Sequence, residues 1–401
     1  MIKISKRITK IEYAIRDIVS KARIYEKSGE KVTYLSIGDP IKYGFKTPTH
    51  IIEALKEAID NDFNYYVASE GIPELRKSIA EYENKKSGLS LTEDDVLVTS
   101  GVSEGILFTF GGMLEEGDEI LIPGPSYPPY SSYAQYYGAK IIEYKLNEEE
   151  SWEPDIDDIR KKINEKTRLI LIISPNNPTG SIYSEKQIKE IINIAGEYDI
   201  PIASDEIYDV LSYNEKVINP AKLSNDVPII GLNGFSKAYL VTGWRLGYIY
   251  YHDPLNKLKE LAENIERLAR IRLCVNAPAQ YAAVKALKGD KQYLSDFISQ
   301  LKKRSEIVWK RLNDIPLISA VKPKGAFYIF PKIELGKYWK DDVDFTLDFL
   351  KEKKILFVYG SGFGKTYGKN HVRIVYLAQP EVLEDAMDKL EAFIYKKIRN
   401  K

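Results

Sequence analysis

The sequence predicts an α/β fold, a mostly parallel sheet covered by helices and followed by a smaller α+β domain. Three observations carry this. Strand-like and helix-like stretches alternate through the middle of the chain. The strand-like ones are near-continuous apolar runs, as in a sheet buried on both faces. The pattern changes after about residue 290. A chain of 401 residues is long for one average domain. The expected division is an N-terminal segment, 1–45, packing on the small domain, then a large domain, 46–290, and a small C-terminal domain, 291–401.

Residues 96–99 read as a strand, leading through the small-residue turn 100–103 into a helix over 104–113. Residues 119–122 form a second strand, stopped by Pro123-Gly124-Pro125. A third, 168–173, is stopped by the turn-rich 175–180. Strand-like stretches at 201–204 and 228–233 lead to Asp205 and to Ser236-Lys237. An amphipathic helix at 293–312 then precedes extended stretches at 325–330, 355–358 and 371–376.

Composition removes several classes of function. Lys and Arg number 58 and Asp and Glu 58, so phosphate neutralisation along a nucleic acid is not expected. With Cys274 alone, and only His50, His252 and His371, neither a disulfide framework nor a Cys/His metal site is expected. The first residues lack an apolar signal core, and no run is long and apolar enough to span a bilayer. The expectation is a soluble cytoplasmic protein.

The chemistry-bearing residues follow the strands, where open parallel sheets bind ligands. The turn Ser100-Gly101-Val102-Ser103 is either an ordinary strand–helix turn or a phosphate seat at a helix N-terminus. Asp205 is either a helix cap or an anionic partner for a protonated ring nitrogen. Lys237, set among apolar and small residues, is either an ordinary surface charge or an amine made nucleophilic by desolvation. Arg245 nearby suits a phosphate. Arg373, inside an apolar alternation, is either paired structurally or a bidentate seat for a carboxylate.

Taken together, the stretches 66–76, 177–180, 205–208, 237–247 and 371–373 resemble, in order, the motifs of the fold-type-I, class I/II aminotransferases. The resemblance runs from about Tyr34 to the C-terminus, and 123–130, 267–274 and 360–364 look like the alanine aminotransferase branch. It implies a seven-stranded-type sheet and pyridoxal 5′-phosphate held as a Schiff base on Lys237, which would also move the proton at Cα. Asp205 would keep the pyridine nitrogen protonated, making the ring an electron sink. Tyr208 and Asn177 would hydrogen-bond the ring oxygen, and Tyr127 would stack on the ring. Gly101, the amides of Val102 and Ser103, Ser236 and Arg245 would take the phosphate. Tyr66 would reach the phosphate of a neighbouring subunit, which implies a homodimer. Arg373 would clamp the substrate α-carboxylate, with Asn177 and the Gly38 backbone beside it.

The implied reaction is a two-step transfer from L-alanine to 2-oxoglutarate. Aspartate, branched-chain or aromatic donors are the alternatives within the fold, and a β-lyase the alternative reaction. A regulator with a fused DNA-binding module is the non-enzymatic alternative, and the roughly 33 residues before the matching region are too few for such a module. A distal carboxylate must be tolerated; Arg270 and Arg272 are candidates, or else make helix-surface ion pairs.

Overall fold

The computed structural model describes every residue except Met1, Lys3, Lys6, Glu12 and Lys401. Its largest sheet contains β1 (Val96–Thr99), β2 (Glu119–Gly124), β3 (Lys140–Asn147), β4 (Glu153–Pro154), β5 (Thr167–Ile173), β6 (Ile202–Asp205), β7 (Ile229–Gly234) and β8 (Gly247–His252). Their spatial order is β1-β8-β7-β6-β5-β2-β3-β4. The run from β7 to β3 is parallel, whereas β8 and β4 oppose their neighbours. The seven strands expected are present, and the two-residue β4 extends one edge.

Burial explains why these strands read as apolar runs. Every residue of β1, β2, β6 and β7 is buried, and in β5 only Arg168 is exposed. Alternate side chains enter two cores, as the strand period of two requires. Ile170, Ile172, Ile202 and Ile229 join one; Leu169, Leu171, Ala203 and Ile230 join the other. Helix α1 (Ala14–Lys27) and helix α2 (Pro73–Ser87) contribute to the first core, and helix α3 (Val102–Met113) to the second. Proline at the first position and a left-handed Gly88 after the last bound α2. Helix α3 starts two residues before the expected 104 because the chain turns at Gly101.

A third core gathers Phe345, Phe349, Phe357 and Phe393. It lies under an antiparallel trio of short strands, Tyr328–Ile329, Val372–Val375 and Val358–Tyr359. The amphipathic helix expected at 293–312 is α4 (Gln292–Asp314), and it packs on α5 (Pro380–Arg399). Near the other end of the chain, Thr33–Tyr34 pairs in parallel with Ile355–Leu356. Among the described residues no helix is long and apolar enough to cross a membrane.

Register positions the site. Asp205, the last residue of β6, lies opposite Ile173 of β5 and Leu232 of β7. Asp205, the turn after β5 and the Ser236-Lys237 step after β7 therefore leave the sheet at one edge.

Candidate active site

That edge opens into a cavity of about 460 Å³, to which α1, the segment around Gly38 and the strand carrying Arg373 also contribute. Among the described residues, Lys237 and Lys42 are the lysines that line it. Its Nζ donates to the Gly38 carbonyl at 2.6 Å and lies 5.6 Å from the Phe327 ring centroid. Burial pushes the Lys237 ammonium down to about 8; Arg245 and Arg373 push the same way, while Asp39 and Asp205 oppose. The residue is thus a desolvated amine, not a surface charge.

Asp205 accepts from the Ile207 amide at 3.1 Å and from the Tyr130 hydroxyl. The Ile207 amide belongs to a turn, so Asp205 does not cap a helix. Burial pushes its carboxyl up to about 6, although both hydrogen bonds favour the ionised form. A cation facing it inside the cavity would restore the charge. Tyr208 enters beside it, sharing a hydrogen bond of 2.7 Å with the Tyr328 hydroxyl.

The other end suits an anion. The first amides of α3, on Val102 and Ser103, precede any carbonyl that the helix could offer them. Gly101 sits at φ 74°, and a Cβ there would run into the Arg245 guanidinium. A Cβ on Gly247 would lie 2.7 Å from the Gly101 carbonyl carbon, so the two glycines let β8 close against the turn. Ser103, Ser236 and Arg245 line the cavity at this point, and Arg245 Nη1 donates to the Thr242 carbonyl at 3.1 Å.

Arg373 is 1% exposed. Its Nη1 donates to Asn177 Oδ1 at 3.0 Å and its Nη2 to the Ser36 carbonyl at 2.6 Å. Its guanidinium carbon lies 4.7 Å from the Tyr328 ring centroid and 4.7 Å from that of Phe363. Its buried Nε has no partner. Among the described residues no carboxylate pairs with it, so the structural ion pair is not what holds it. A buried guanidinium with an unpaired N–H, facing a cavity, fits a ligand carboxylate.

Tyr127 also lines the cavity, with its hydroxyl 3.3 Å from that of Tyr13. Tyr66 does not line it; its side is 82% exposed. Arg270 and Arg272 lie elsewhere too. Arg270 pairs with Glu266 at 3.1 Å and Glu70 at 4.0 Å, and Arg272 with Glu104 at 3.4 Å while donating to the Val98 carbonyl at 3.2 Å. Both therefore make structural ion pairs, exposed at Arg270 and half-buried at Arg272.

Sequence reasoning missed Tyr13, Arg16, Asp39, Lys42 and Tyr328 on the cavity wall and Tyr130 behind Asp205. Tyr130 and Tyr328 stood within the stretches 123–130 and 325–330, where neither was given a role. Arg16 had a usable signal. It is a cation in the first turn of α1, where the helix dipole disfavours positive charge.

The residues present fit pyridoxal phosphate: an amine, a carboxylate for a ring nitrogen, an anion seat and a carboxylate clamp converge on one space. The comparisons agree. Residues 30–390 match the family described as aminotransferase class I and II. The glutamate-pyruvate aminotransferase AlaA of Haemophilus influenzae is 37% identical over 396 residues, covering 97% of this chain and 97% of that protein. A probable aspartate aminotransferase of Methanocaldococcus jannaschii is 37% identical over 88% of this chain and 91% of its own. Among solved structures, the alanine aminotransferase from Pyrococcus furiosus superimposes with a TM-score of 0.96 at 55% identity, over 98% of this chain and 100% of that one. The Thermus thermophilus aspartate aminotransferase with maleate does so with a TM-score of 0.88 at 28% identity, over 98% and 100%.

Proposed function

The chain belongs to the aminotransferase class I and II family, and we propose that it moves an amino group from L-alanine to 2-oxoglutarate on pyridoxal phosphate held by Lys237. The observation that carries the chemistry is the convergence of Lys237, Asp205 and Arg373 on one cavity. The choice of alanine draws on the relatives named for that reaction, the Pyrococcus furiosus structure at 55% identity above all.

In this reading each residue has one task. Arg373, fixed by Asn177 and Ser36, binds the substrate α-carboxylate and orients Cα over Lys237. Lys237, as a free amine, would take the proton from Cα and deliver it to the cofactor carbon bound to the same nitrogen. Its lowered proton affinity suits a base near neutral pH. Asp205 holds a proton at the ring nitrogen, and Tyr208 and Asn177 hydrogen-bond the ring oxygen. Tyr127 packs on the ring face. Gly101, Val102, Ser103, Ser236 and Arg245 hold the phosphate. When bound, the cofactor supplies the electron sink that accepts the pair left at Cα. Alanine leaves as pyruvate, and 2-oxoglutarate collects the amino group as glutamate.

The same reading makes the enzyme a cytoplasmic homodimer, with the exposed Tyr66 reaching a neighbour's phosphate. It also carries the three-part division 1–45, 46–290 and 291–401. The pairing of Thr33–Tyr34 with Ile355–Leu356 supports the docking of the first part on the last.

A second reading widens the donor to aspartate. The Methanocaldococcus jannaschii relative named for it is as similar as AlaA, and the cations Arg16 and Lys42 line the cavity. Measuring the 2-oxo acid formed from a panel of amino acids with 2-oxoglutarate separates the two. Alanine is expected to give the highest kcat/KM; a higher value for aspartate overturns the choice of donor. No turnover of any amino acid overturns the function.

A further inference from the structure

The turn from Asp205 to Asp209 separates two cavities. Asp205, Ile207 and Tyr208 line the candidate active site. Glu206 and Asp209 line a second space of about 210 Å³, and Lys86 of α2 lines it with them. The turn therefore shows one set of side chains to the chemistry and the other set to α2.

On the α2 side lies a dense group of charges. Glu83, Glu206 and Asp209 place carboxylate oxygens within 4.8 Å of one another, close enough to share a cation. The ammonium of Lys86 is that cation. It lies 2.6 Å from Glu83 and 3.7 Å from Glu206, and it also bonds Asp209. Strand β8 adds hydroxyls: Tyr248 donates to Glu83 at 2.6 Å and Tyr250 to Glu206 at 2.7 Å. From β7, Asn233 donates to Asp209 at 3.0 Å. On the outer side, Lys291 lies 4.2 Å from the ring centroid of Tyr82, which itself faces Lys86 at 5.4 Å.

Three carboxylates against one ammonium leave two negative charges in excess if all ionise. A buried site resists that. Burial pushes the Glu206 carboxyl well up, with Glu83 and Asp209 adding and Lys86 opposing. The ammonium of Lys86 stays charged there because Asp209, Glu83 and Glu206 together outweigh its burial.

We propose that Lys86 is a positioning residue: by tethering Glu206 and Asp209 to α2 it fixes the 205–209 turn, and with it the direction in which Asp205 and Tyr208 enter the site. The inference rests on the roles proposed above for those two residues. Lys86 also neutralises Asp209, whose charge otherwise makes Asp205 harder to ionise. Tether and charge thus act on the same side chain.

The test compares wild type, Lys86→Met and Asp209→Asn in the full chain. It measures the Kd of pyridoxal phosphate on the cofactor-free protein and the pH dependence of the bound cofactor's absorbance. Each variant is expected to weaken cofactor binding by roughly tenfold or more, because the turn loses its anchor. The pH midpoints are expected to move in opposite directions. Lys86→Met exposes Asp205 to an uncompensated Asp209 and shifts the acid limb up; Asp209→Asn removes that charge and shifts it down. General loosening of the fold cannot give opposite shifts. Unchanged Kd and unchanged midpoint in a folded variant overturn the inference while leaving the proposed function intact. Should Lys86→Met not fold, Asp209→Asn decides by the same two readouts. Wild type that takes up no pyridoxal phosphate overturns the proposed function and this inference with it.

Discussion

Arg373 donates to Asn177 Oδ1 at 3.0 Å, joining the last strand of the C-terminal trio to the turn after β5. The bond spends one guanidinium nitrogen on orientation, and Ser36 takes another. In the proposed mechanism a substrate carboxylate would meet a fork already fixed in place. Replacing Arg373 with leucine is expected to lower kcat/KM for every amino acid by roughly tenfold to a hundredfold for each charged hydrogen bond lost. Arg373→Lys keeps the charge without the fork and is expected to recover only part of this. Steady-state kinetics on both variants check it. Wild-type kcat/KM in Arg373→Leu would remove the clamp from the mechanism.

The lowered proton affinity of Lys237 has a consequence for stability. The cofactor-free native state releases this proton near pH 8, whereas the unfolded lysine holds it to about 10.4. Between those values the unfolded state binds more protons, so this group makes stability rise with pH across the window. Lys237→Met is expected to remove that rise, at about 1.4 kcal/mol per unit of displacement. Urea unfolding of both cofactor-free proteins at pH 7.5, 9 and 10.5 measures it, and parallel curves would contradict it.

Gly101 is left-handed and sits against the Arg245 guanidinium. Gly101→Ala strains the turn by roughly 1–3 kcal/mol and displaces the guanidinium from the anion seat. Weaker pyridoxal phosphate binding is expected, together with a smaller difference between pyridoxal phosphate and unphosphorylated pyridoxal. Calorimetric titration with the two forms measures this; an unchanged difference would place the phosphate elsewhere.

Arg16 lines the cavity from α1 and, among the described residues, has no ion-pair partner. Arg16→Gln is expected to raise the KM for 2-oxoglutarate by roughly tenfold, as loss of a charged contact would, and to leave the half-reaction with alanine unchanged. Stopped-flow measurement of each half-reaction separates the two effects. Equal losses in both would make Arg16 a structural residue.

Lys237, Asp205 and Arg373 stood out in the sequence because each lies in or just after an apolar stretch, where a charge needs a reason; the local residues left each with two readings, and the resemblance supplied the roles. The parallel sheet was legible for the related reason that strands buried on both faces carry almost no polar residues. Tyr130 and Tyr328 were not, since a tyrosine that orients a carboxylate and one that fills a core look alike in one dimension. The pair Glu83 and Lys86 reads as an ordinary exposed i,i+3 pair on a helix; in the fold Glu206, Asp209 and Tyr248 close around it, leaving Glu83 buried and Lys86 half-buried. Arg270 and Arg272 show the converse. Glu266, four residues before Arg270, was a readable partner, whereas Glu70 and Glu104 are distant in sequence and were not.

The most direct test is the absorbance of the purified protein with pyridoxal phosphate, recorded before and after L-alanine is added without any 2-oxo acid. The account predicts that the visible band of the cofactor is lost as a stoichiometric amount of pyruvate appears, returns on addition of 2-oxoglutarate, and is absent from Lys237→Ala. A band that persists unchanged with alanine, or one that Lys237→Ala retains in full, would contradict it.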